Sequence, residues 1–366
     1  MKIALAGLAA LAVAMGIGRF AFTPLLPMMQ VDSGLTLAQG GYFAAANYIG
    51  YLVGALWAMR PVRSGVAIGG SLLAIGGSTL AMGMTHGLAA WVLWRVVAGM
   101  ASAWALVHVS SWCLEQLGAA GKHRLGGVVF SGVGWGMALA GGVCLALMSA
   151  GASASQTWIA LGAASLAVTA ALWPRVARRD AAAATRNGFT WSGDAIRLVL
   201  CYAAFGFGYI IPATFVPAMA RTVVPDPLVF GWAWPMFGTA AALSTLIATR
   251  GENRRVWAIA ALVMAAGVAA PIVVAGIAGV VGSALLVGAT FMVITMVGMR
   301  EARRLGGPAL MAAMTAAFAT GQVAGPLAVS GLAHVRGGMV AALSIAAAAL
   351  VLSALALGWN QPTLGA

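Results

Sequence analysis

The sequence predicts an all-α integral membrane protein with twelve transmembrane helices in two pseudo-symmetric six-helix bundles. The composition, the regular recurrence of apolar segments and a repeat between the two halves all support this fold class. Of the 366 residues, 62% are hydrophobic and only 7% are charged. Soluble proteins carry about 25% charged residues, so a chain with so few charges is expected to lie in lipid.

Twelve segments are long and apolar enough to cross a bilayer, which takes about 20 residues in a helix. We expect them near 3–29, 37–59, 65–84, 89–114, 126–149, 157–173, 195–219, 229–249, 256–275, 279–299, 309–332 and 338–358. The first starts like a signal peptide, but its apolar character continues past Arg19 to Met29, which favours an uncleaved helix. The longest connection is basic and Ala-rich and lies near the midpoint. It divides the chain into an N-terminal bundle (1–173), a cytoplasmic linker (174–194) and a C-terminal bundle (195–366).

Lys and Arg residues are distributed unequally between the two sides of the predicted spans. With both termini in the cytoplasm, sixteen of the 20 lie in or beside cytoplasmic segments, and only Arg221 and Arg336 lie outside. Cytoplasmic loops of membrane proteins are rich in Lys and Arg, so this bias predicts the orientation. The net charge of +13 then comes from basic residues that we expect at the membrane surface, and no nucleic-acid partner is expected. We expect a monomeric, multi-pass protein of the bacterial inner membrane.

Two segments of the chain repeat at an offset of 190 residues. "GIGRFAFTPLLPMM" (16–29) aligns without gaps with "GFGYIIPATFVPAM" (206–219). In this alignment Tyr209 occupies the position equivalent to Arg19. An offset of 189 carries the pair Gly132 and Gly136 onto Gly321 and Gly325. These correspondences predict that the two bundles are internal repeats.

Several motifs resemble those of the major facilitator superfamily. "RVVAG" (95–99) is similar to its R-x-x-x-G motif, "GQVAGP" (321–326) to the G-x-x-x-G-P motif of antiporters, and "RPVRSG" (60–65) to a shortened loop motif without the aspartate. The two repeated segments and "GGYFAAANYIGYLVGA" (40–55) look like the YbfB/YjiJ-type branch. The resemblance implies alternating-access transport in the inner membrane. It also implies a cavity between the halves, lined chiefly by the first, fourth, seventh and tenth helices.

Arg19 and Arg95 lie within predicted spans, in the outer half of the bilayer. A charge at such a depth costs about 2.5–3.5 kcal/mol on insertion scales and must face protein or water. All seven acidic residues fall in loops or at helix ends, so the sequence predicts no buried counter-ion. Two guanidinium groups can hold an anionic substrate by bidentate contacts. Alternatively, each bonds backbone carbonyls loosened near Gly16, Gly18 and Pro24.

Other polar residues lie deep in the predicted spans. Asn47 and Tyr51 share one face of the second helix, Tyr209 lies in the seventh, and Gln322 lies in the eleventh. We take all four, together with the two arginines, as candidate substrate-binding residues. Single polar side chains also tie membrane helices together, so structural hydrogen bonding is the alternative for each.

The fourth helix carries a second polar stripe, opposite the one that holds Arg95. Trp104, His108, Ser111 and Glu115 form this stripe at helical spacing. His108 and Glu115 are candidate proton-coupling residues, because an imidazole titrates near physiological pH. The alternative for His108 is a hydrogen bond between helices. The spacing leaves open which stripe lines the cavity.

Glycines spaced four residues apart are expected to allow close and movable helix contacts. The candidate packing and gating residues are Gly50, Gly54, Gly132, Gly136, Gly321, Gly325 and Pro326.

The sequence favours a secondary active transporter of a small organic solute, with proton-coupled efflux and an anionic or polyhydroxylated substrate. One alternative is an exporter of sugars or neutral drugs in which Arg19 is structural. Another is a polytopic membrane enzyme or scaffold, which would need a buried nucleophile, metal ligands or paired carboxylates at membrane depth. The chain is not expected to be an enzyme or to bind a cofactor or metal, and the absence of a G-K-[ST] loop excludes ATP as the energy source.

Overall fold

The computed structural model describes residues 1–60, 62–177, 190–223, 231–332 and 336–358. Within these ranges the chain forms helices and no strand. The α-helices are α1 (Lys2–Leu11), α2 (Phe22–Ser33), α3 (Leu37–Trp57), α4 (Ser64–Met84), α5 (Leu88–Ala119), α6 (Gly126–Ser149), α7 (Ala154–Ala177), α8 (Gly193–Val223), α9 (Ala233–Ile247), α10 (Asn253–Val273), α11 (Ile277–Leu332) and α12 (Gly338–Gly358). Residues 178–189, which form most of the predicted linker, and the side chain of Arg221 lie outside the described part.

Most of the described helices have the length and composition of membrane spans. Nine of them, counting α1 and α2 as one, are long and apolar enough to cross a bilayer, and α9 is a shorter apolar helix. The predicted all-α membrane class is therefore confirmed. Helix α5 continues through Ala119 rather than ending near residue 114, and α7 continues through Ala177 into the predicted linker.

The first predicted span is a broken helix. Between α1 and α2, residues Ala12–Ile17 form a π-helical segment, and Gly18 to Ala21 form a turn. The amide of Gly18 donates to the carbonyl of Val13 at 3.0 Å, and that of Phe20 donates to the carbonyl of Met15 at 3.1 Å. These bonds span five residues and widen the turn, as in the π-bulges that often mark functional sites. Arg19 lies in this break.

Helix α11 joins two segments that the sequence predicts as separate spans. Gly307 interrupts its helical geometry with a φ of +60°, a left-handed conformation that favours glycine, and Pro308 follows. The range α11 therefore holds two helices, which correspond to the predicted spans 279–299 and 309–332 and lie on either side of this kink. Pro326 lies farther along the same helix.

Hydrogen bonds at helix starts fix two of the turns. Helix α3 begins with a capping box, in which Thr36 Oγ1 accepts from the Gln39 amide at 3.2 Å and Gln39 Oε1 accepts from the Thr36 amide at 2.9 Å. Before α7, Ser153 and Gln156 exchange the same bonds at 3.2 and 2.9 Å. Each box satisfies main-chain donors that a helix start leaves without a partner.

The predicted glycine pairs lie where helix backbones meet. A Cβ at Gly132 would approach the backbone of Leu8 in α1 closer than 3.0 Å, and one at Gly136 would approach that of Ala12 in the π-helical segment equally closely. The pair in α11 faces α8, and the pair in α3 faces α5. The nearest atoms are backbone atoms of Ala203 for Gly321, Val96 for Gly50 and Met100 for Gly54, and a side-chain atom of Ile210 for Gly325. Glycine at these positions permits an approach that any side chain would block.

Helix α6 carries a second glycine face that the sequence analysis did not single out. Gly127, Gly134 and Gly141 lie seven residues apart, and an added Cβ at each would meet α9 closer than 3.0 Å. Across the contact, a Cβ at Gly238 would meet the backbone of α6 equally closely. Helix α6 thus packs by glycine on α1 with one face and on α9 with another.

Candidate functional site

Arg19 is buried where three segments of the chain meet. Its side chain is 3% exposed, and its guanidinium lies over the ring of Tyr51 in α3, 3.8 Å from the ring centroid. Nη2 donates a hydrogen bond to Oε1 of Gln322 in α11, a residue 303 positions later in the chain. A cation over an aromatic face gains electrostatic energy, more so when water is excluded. The structure therefore brings together three of the predicted site residues, one from each segment.

Several donors in this cluster have no partner in the described part of the chain. They are Arg19 Nε and Nη1, Gln322 Nε2, and the hydroxyls of Tyr51 and Tyr209. A buried donor left unsatisfied costs about 1–3 kcal/mol, and more when it is charged. A concentration of such donors in one place is typical of a site that binds a polar ligand.

Aromatic rings connect Tyr209 in α8 to the guanidinium. Tyr209 stacks on Phe291 with ring centroids 4.4 Å apart, and its ring lies 6.1 Å from that of Phe318. The same Phe318 ring lies 5.8 Å from the guanidinium carbon of Arg19. Phe20, next to Arg19, lies edge-on to Phe291 with centroids 5.8 Å apart. Phe20, Tyr209, Phe291 and Phe318 thus form one aromatic cluster, and the guanidinium of Arg19 lies at its border.

Phe291 and Phe318 were not among the predicted site residues. A signal for Phe318 was available, because it lies four residues before Gln322 and therefore on the same face of α11. Phe291 carried no comparable signal, since its position beside Tyr209 depends on how α8 and α11 pack.

Arg95 has a different environment from Arg19. Its Nη1 and Nη2 donate at 3.2 Å to the main-chain carbonyls of Gly18 and Arg19, and its guanidinium lies 4.9 Å from the ring of Phe22. Asn47 Nδ2 in turn donates to the carbonyl of Arg95 at 3.0 Å. The guanidinium of Arg95 therefore holds the broken segment that carries Arg19, which is the structural alternative given for this residue above.

The two stripes of α5 point to different neighbours. On the stripe of Arg95, Ser102 Oγ donates to the carbonyl of Ala14 at 2.7 Å, so this stripe packs on the first helical region. On the other, the ring of Trp104 lies 5.1 Å from that of Trp57 and 5.8 Å from that of His108. His108 is buried, and its Nε2 has no partner in the described part of the chain.

Glu115 lies at the end of the His108 stripe, but it is exposed. Its carboxylate lies 3.9 Å from Arg303 of α11, and the Glu115 side chain is 61% exposed. The structure thus separates the two predicted proton-coupling residues into a buried imidazole and an exposed ion pair.

An ionic network joins α8, α10 and α11, and the sequence analysis treated its members only as loop charges. Arg254 Nε donates to Glu301 Oε1 at 2.7 Å, and its Nη1 donates to Asp194 Oδ1 at 3.2 Å. Arg304 Nη2 donates to Glu301 Oε1 at 2.7 Å, and Arg197 pairs with Asp194. Glu301 and Arg254 are both buried. The network fixes three helix ends against one another.

Comparison with known proteins gives the family. The family model described as "Uncharacterised MFS-type transporter YbfB" matches residues 11–357. The chain belongs to this family. The resemblance to the major facilitator superfamily is thereby confirmed, and the family is one of transporters rather than enzymes.

A solved structure agrees with this assignment. The crystal structure of the human organic anion transporter MFSD10 matches with a TM-score of 0.69 at 12% sequence identity, covering 97% of this chain and 98% of that chain. At this identity the match establishes that the YbfB-type chain shares the fold. Among curated proteins, nothing matches.

Proposed function

We propose that this YbfB-type protein is a secondary active transporter that exports a small organic anion by alternating access, coupled to protons. The chain would cross the bacterial inner membrane twelve times, with six spans in each half and both termini in the cytoplasm. A small-molecule substrate follows from the family, whereas its charge follows from the site.

One observation supports the proposal that the substrate is an anion. Arg19 is buried where α3 and α11 meet the first helix, and two of its nitrogens lack partners in the described chain. A guanidinium cannot lose its charge at physiological pH, so the fixed positive charge favours a ligand that is negative. The similar fold of an organic anion transporter agrees with this charge.

Proton coupling and efflux have separate supports. His108 is a buried imidazole without a partner at Nε2 in the described chain, and such a group can take up or release a proton when water reaches it. The G-x-x-x-G-P pattern of "GQVAGP" favours export. Glycine contacts between α6 and both α1 and α9 favour helices that rock against each other during transport.

The test is transport by purified protein in proteoliposomes with an imposed pH gradient. Organic anions, sugars and organic cations are supplied separately, and solute flux and internal pH are recorded together. We expect flux of organic anions with coupled proton movement, and we expect Arg19→Leu to lower that flux by more than about tenfold, since a charge-assisted bond contributes 1.5–3 kcal/mol.

Arg60→Leu is the matched control, because it removes the same charge at an exposed position. Its anion flux should equal that of the unmodified protein. Equal flux through Arg19→Leu and Arg60→Leu would contradict the proposal and favour the alternative of a sugar or neutral-drug exporter with a structural Arg19.

A further inference from the structure

We propose that the anion bound at Arg19 is a carboxylate whose carbon skeleton also carries an aromatic ring, and that its carboxylate replaces the Gln322 amide oxygen on the guanidinium. This inference rests on the proposed function and names the substrate class of the same site. It follows from the donors in the cluster, from the shape of the guanidinium and from the rings around it.

The unpartnered atoms around Arg19 are suited to oxygen acceptors. Arg19 Nε and Nη1 and Gln322 Nε2 can only donate, and the hydroxyls of Tyr51 and Tyr209 can donate. The unpartnered acceptor on α3, Asn47 Oδ1, belongs to the amide that binds the Arg95 carbonyl. A carboxylate offers two oxygens and about four lone-pair positions, whereas an alcohol or amide offers fewer acceptors and adds donors of its own.

The charge of a carboxylate favours its exchange with the Gln322 amide oxygen. A carboxylate binds a guanidinium most strongly through two parallel bonds. One edge of the group presents Nε and Nη2, and the other presents Nη1 and Nη2, with one of the two Nη2 hydrogens on each edge. Gln322 Oε1 accepts from Nη2 and therefore occupies one of these edges. A carboxylate that binds at the occupied edge replaces the amide oxygen, because a charged acceptor forms the stronger bond, and the contact between the first helix and α11 is then lost.

The aromatic cluster indicates what the carboxylate is attached to. The Phe318 ring lies 5.8 Å from the Arg19 guanidinium and 6.1 Å from the Tyr209 ring, and Phe291 stacks on Tyr209. Aromatic rings favour stacked or edge-on contacts with another ring. A ligand whose carboxylate lies on Arg19 has these rings beside the rest of its body, so an aryl group fits this surface better than a polyol.

The test measures binding to the purified full-length protein in detergent. The probes are 3-phenylpropionate, its neutral amide, and acetate, and the readouts are titration calorimetry and the shift of the melting temperature. We expect 3-phenylpropionate to bind at least about tenfold more tightly than either of the other probes, since each lacks one of the two recognised parts.

Gln322→Glu is the decisive variant, with Gln322→Met as its matched control. A glutamate at this position supplies a permanent internal carboxylate to Arg19. We expect Gln322→Glu to weaken 3-phenylpropionate binding by at least about tenfold, and its melting temperature without ligand to rise, because the internal ion pair takes the place of the ligand. Gln322→Met removes the competing oxygen without adding charge, so it should bind the probe more tightly than Gln322→Glu does.

Equal affinity of Gln322→Glu and Gln322→Met for 3-phenylpropionate would overturn the exchange, and equal affinity of the acid and its amide would overturn the substrate class. Transport separates this failure from that of the proposed function. Flux of another anion that Arg19→Leu abolishes would leave the transporter proposal standing and refute the aryl carboxylate. If no anion flux depends on Arg19, both proposals are wrong.

Discussion

Arg19 and Arg95 bury the same functional group at nearly the same place, yet their partners assign them different tasks. Arg95 donates to two main-chain carbonyls at 3.2 Å. These are neutral acceptors of the segment it holds, and of its three nitrogens only Nε has no partner in the described chain. Arg19 donates to one side-chain amide and keeps two nitrogens without partners in the described chain. Removal of Arg95 would therefore act on the position of Arg19, whereas removal of Arg19 would act on the ligand.

Glu301 gives a residue-level prediction for stability. Its side chain is 3% exposed and pairs with Arg254, which is 9% exposed. Glu301→Gln leaves the buried guanidinium with less compensating charge. We therefore expect the free energy of unfolding to fall by about 3 kcal/mol, in the range for breaking a buried ion pair. The change should appear as a lower melting temperature of the purified protein in detergent.

Glu115→Gln is the control for this prediction. Its partner Arg303 lies at 3.9 Å, and the Glu115 side chain is 61% exposed. Solvent screens such pairs, so the loss should stay below about 1 kcal/mol. Equal destabilisation by the two substitutions would show that burial of Glu301 does not determine the strength of the network.

Much of this residue-level picture was open to prediction, and the part that was not has a physical reason. Arg19 and Gln322 were identifiable because polar groups inside apolar spans are costly and therefore need partners. Their contact was not identifiable, since it joins positions 303 residues apart and depends on packing. Glu301 was missed because it lies near the end of a predicted span, where a carboxylate is expected to face water.

At the scale of elements, apolar periodicity identified most of the helices, and local backbone chemistry determined their breaks. The hydropathy of residues 3–29 is continuous, yet the structure interrupts this stretch with a π-helical segment and a turn. Side-chain apolarity does not report main-chain bonding, so hydropathy did not show this break, whereas Gly16, Gly18 and Pro24 indicated loosened backbone carbonyls there. Gly307, with a φ of +60°, separates the two helices of α11 at the place where the sequence predicts a boundary between two spans.

Two glycines of α6 are predicted to change the melting temperature in opposite directions when each is replaced by alanine. A Cβ at Gly136 would meet the backbone of Ala12, which directly follows α1, closer than 3.0 Å, whereas a Cβ at Gly142 would have no neighbour within 4 Å. Alanine is a better helix former than glycine by about 1 kcal/mol. We expect Gly142→Ala to raise the melting temperature slightly and Gly136→Ala to lower it, because overpacking costs about 1–3 kcal/mol. A rise for both would mean that α1 and α6 separate without cost.

At the scale of the whole molecule, the N-terminal and C-terminal parts of the chain contact each other in several places. The Arg19–Gln322 bond joins them at the site, and the glycine face of α6 packs on α9. Near the end of α5 and just before the Gly307 kink of α11, Glu115 approaches Arg303 at 3.9 Å. Nearby, Arg300 Nη2 donates to the carbonyl of His123 at 3.3 Å. Alternating access requires such contacts to break on one side at a time.

The Glu115–Arg303 contact provides a test of this movement. We expect a bifunctional thiol reagent that joins the double variant Glu115→Cys, Arg303→Cys to stop transport in proteoliposomes, and a disulfide-linked reagent to allow recovery after reduction. The native cysteines Cys113, Cys144 and Cys201 are buried, which limits side reactions. Each single variant treated with the same reagent should keep its flux, because one anchored end cannot hold two helices together. Full transport by the cross-linked double variant would mean that α5 and α11 stay together at this end throughout the cycle, and the rocking of two halves would have to be abandoned.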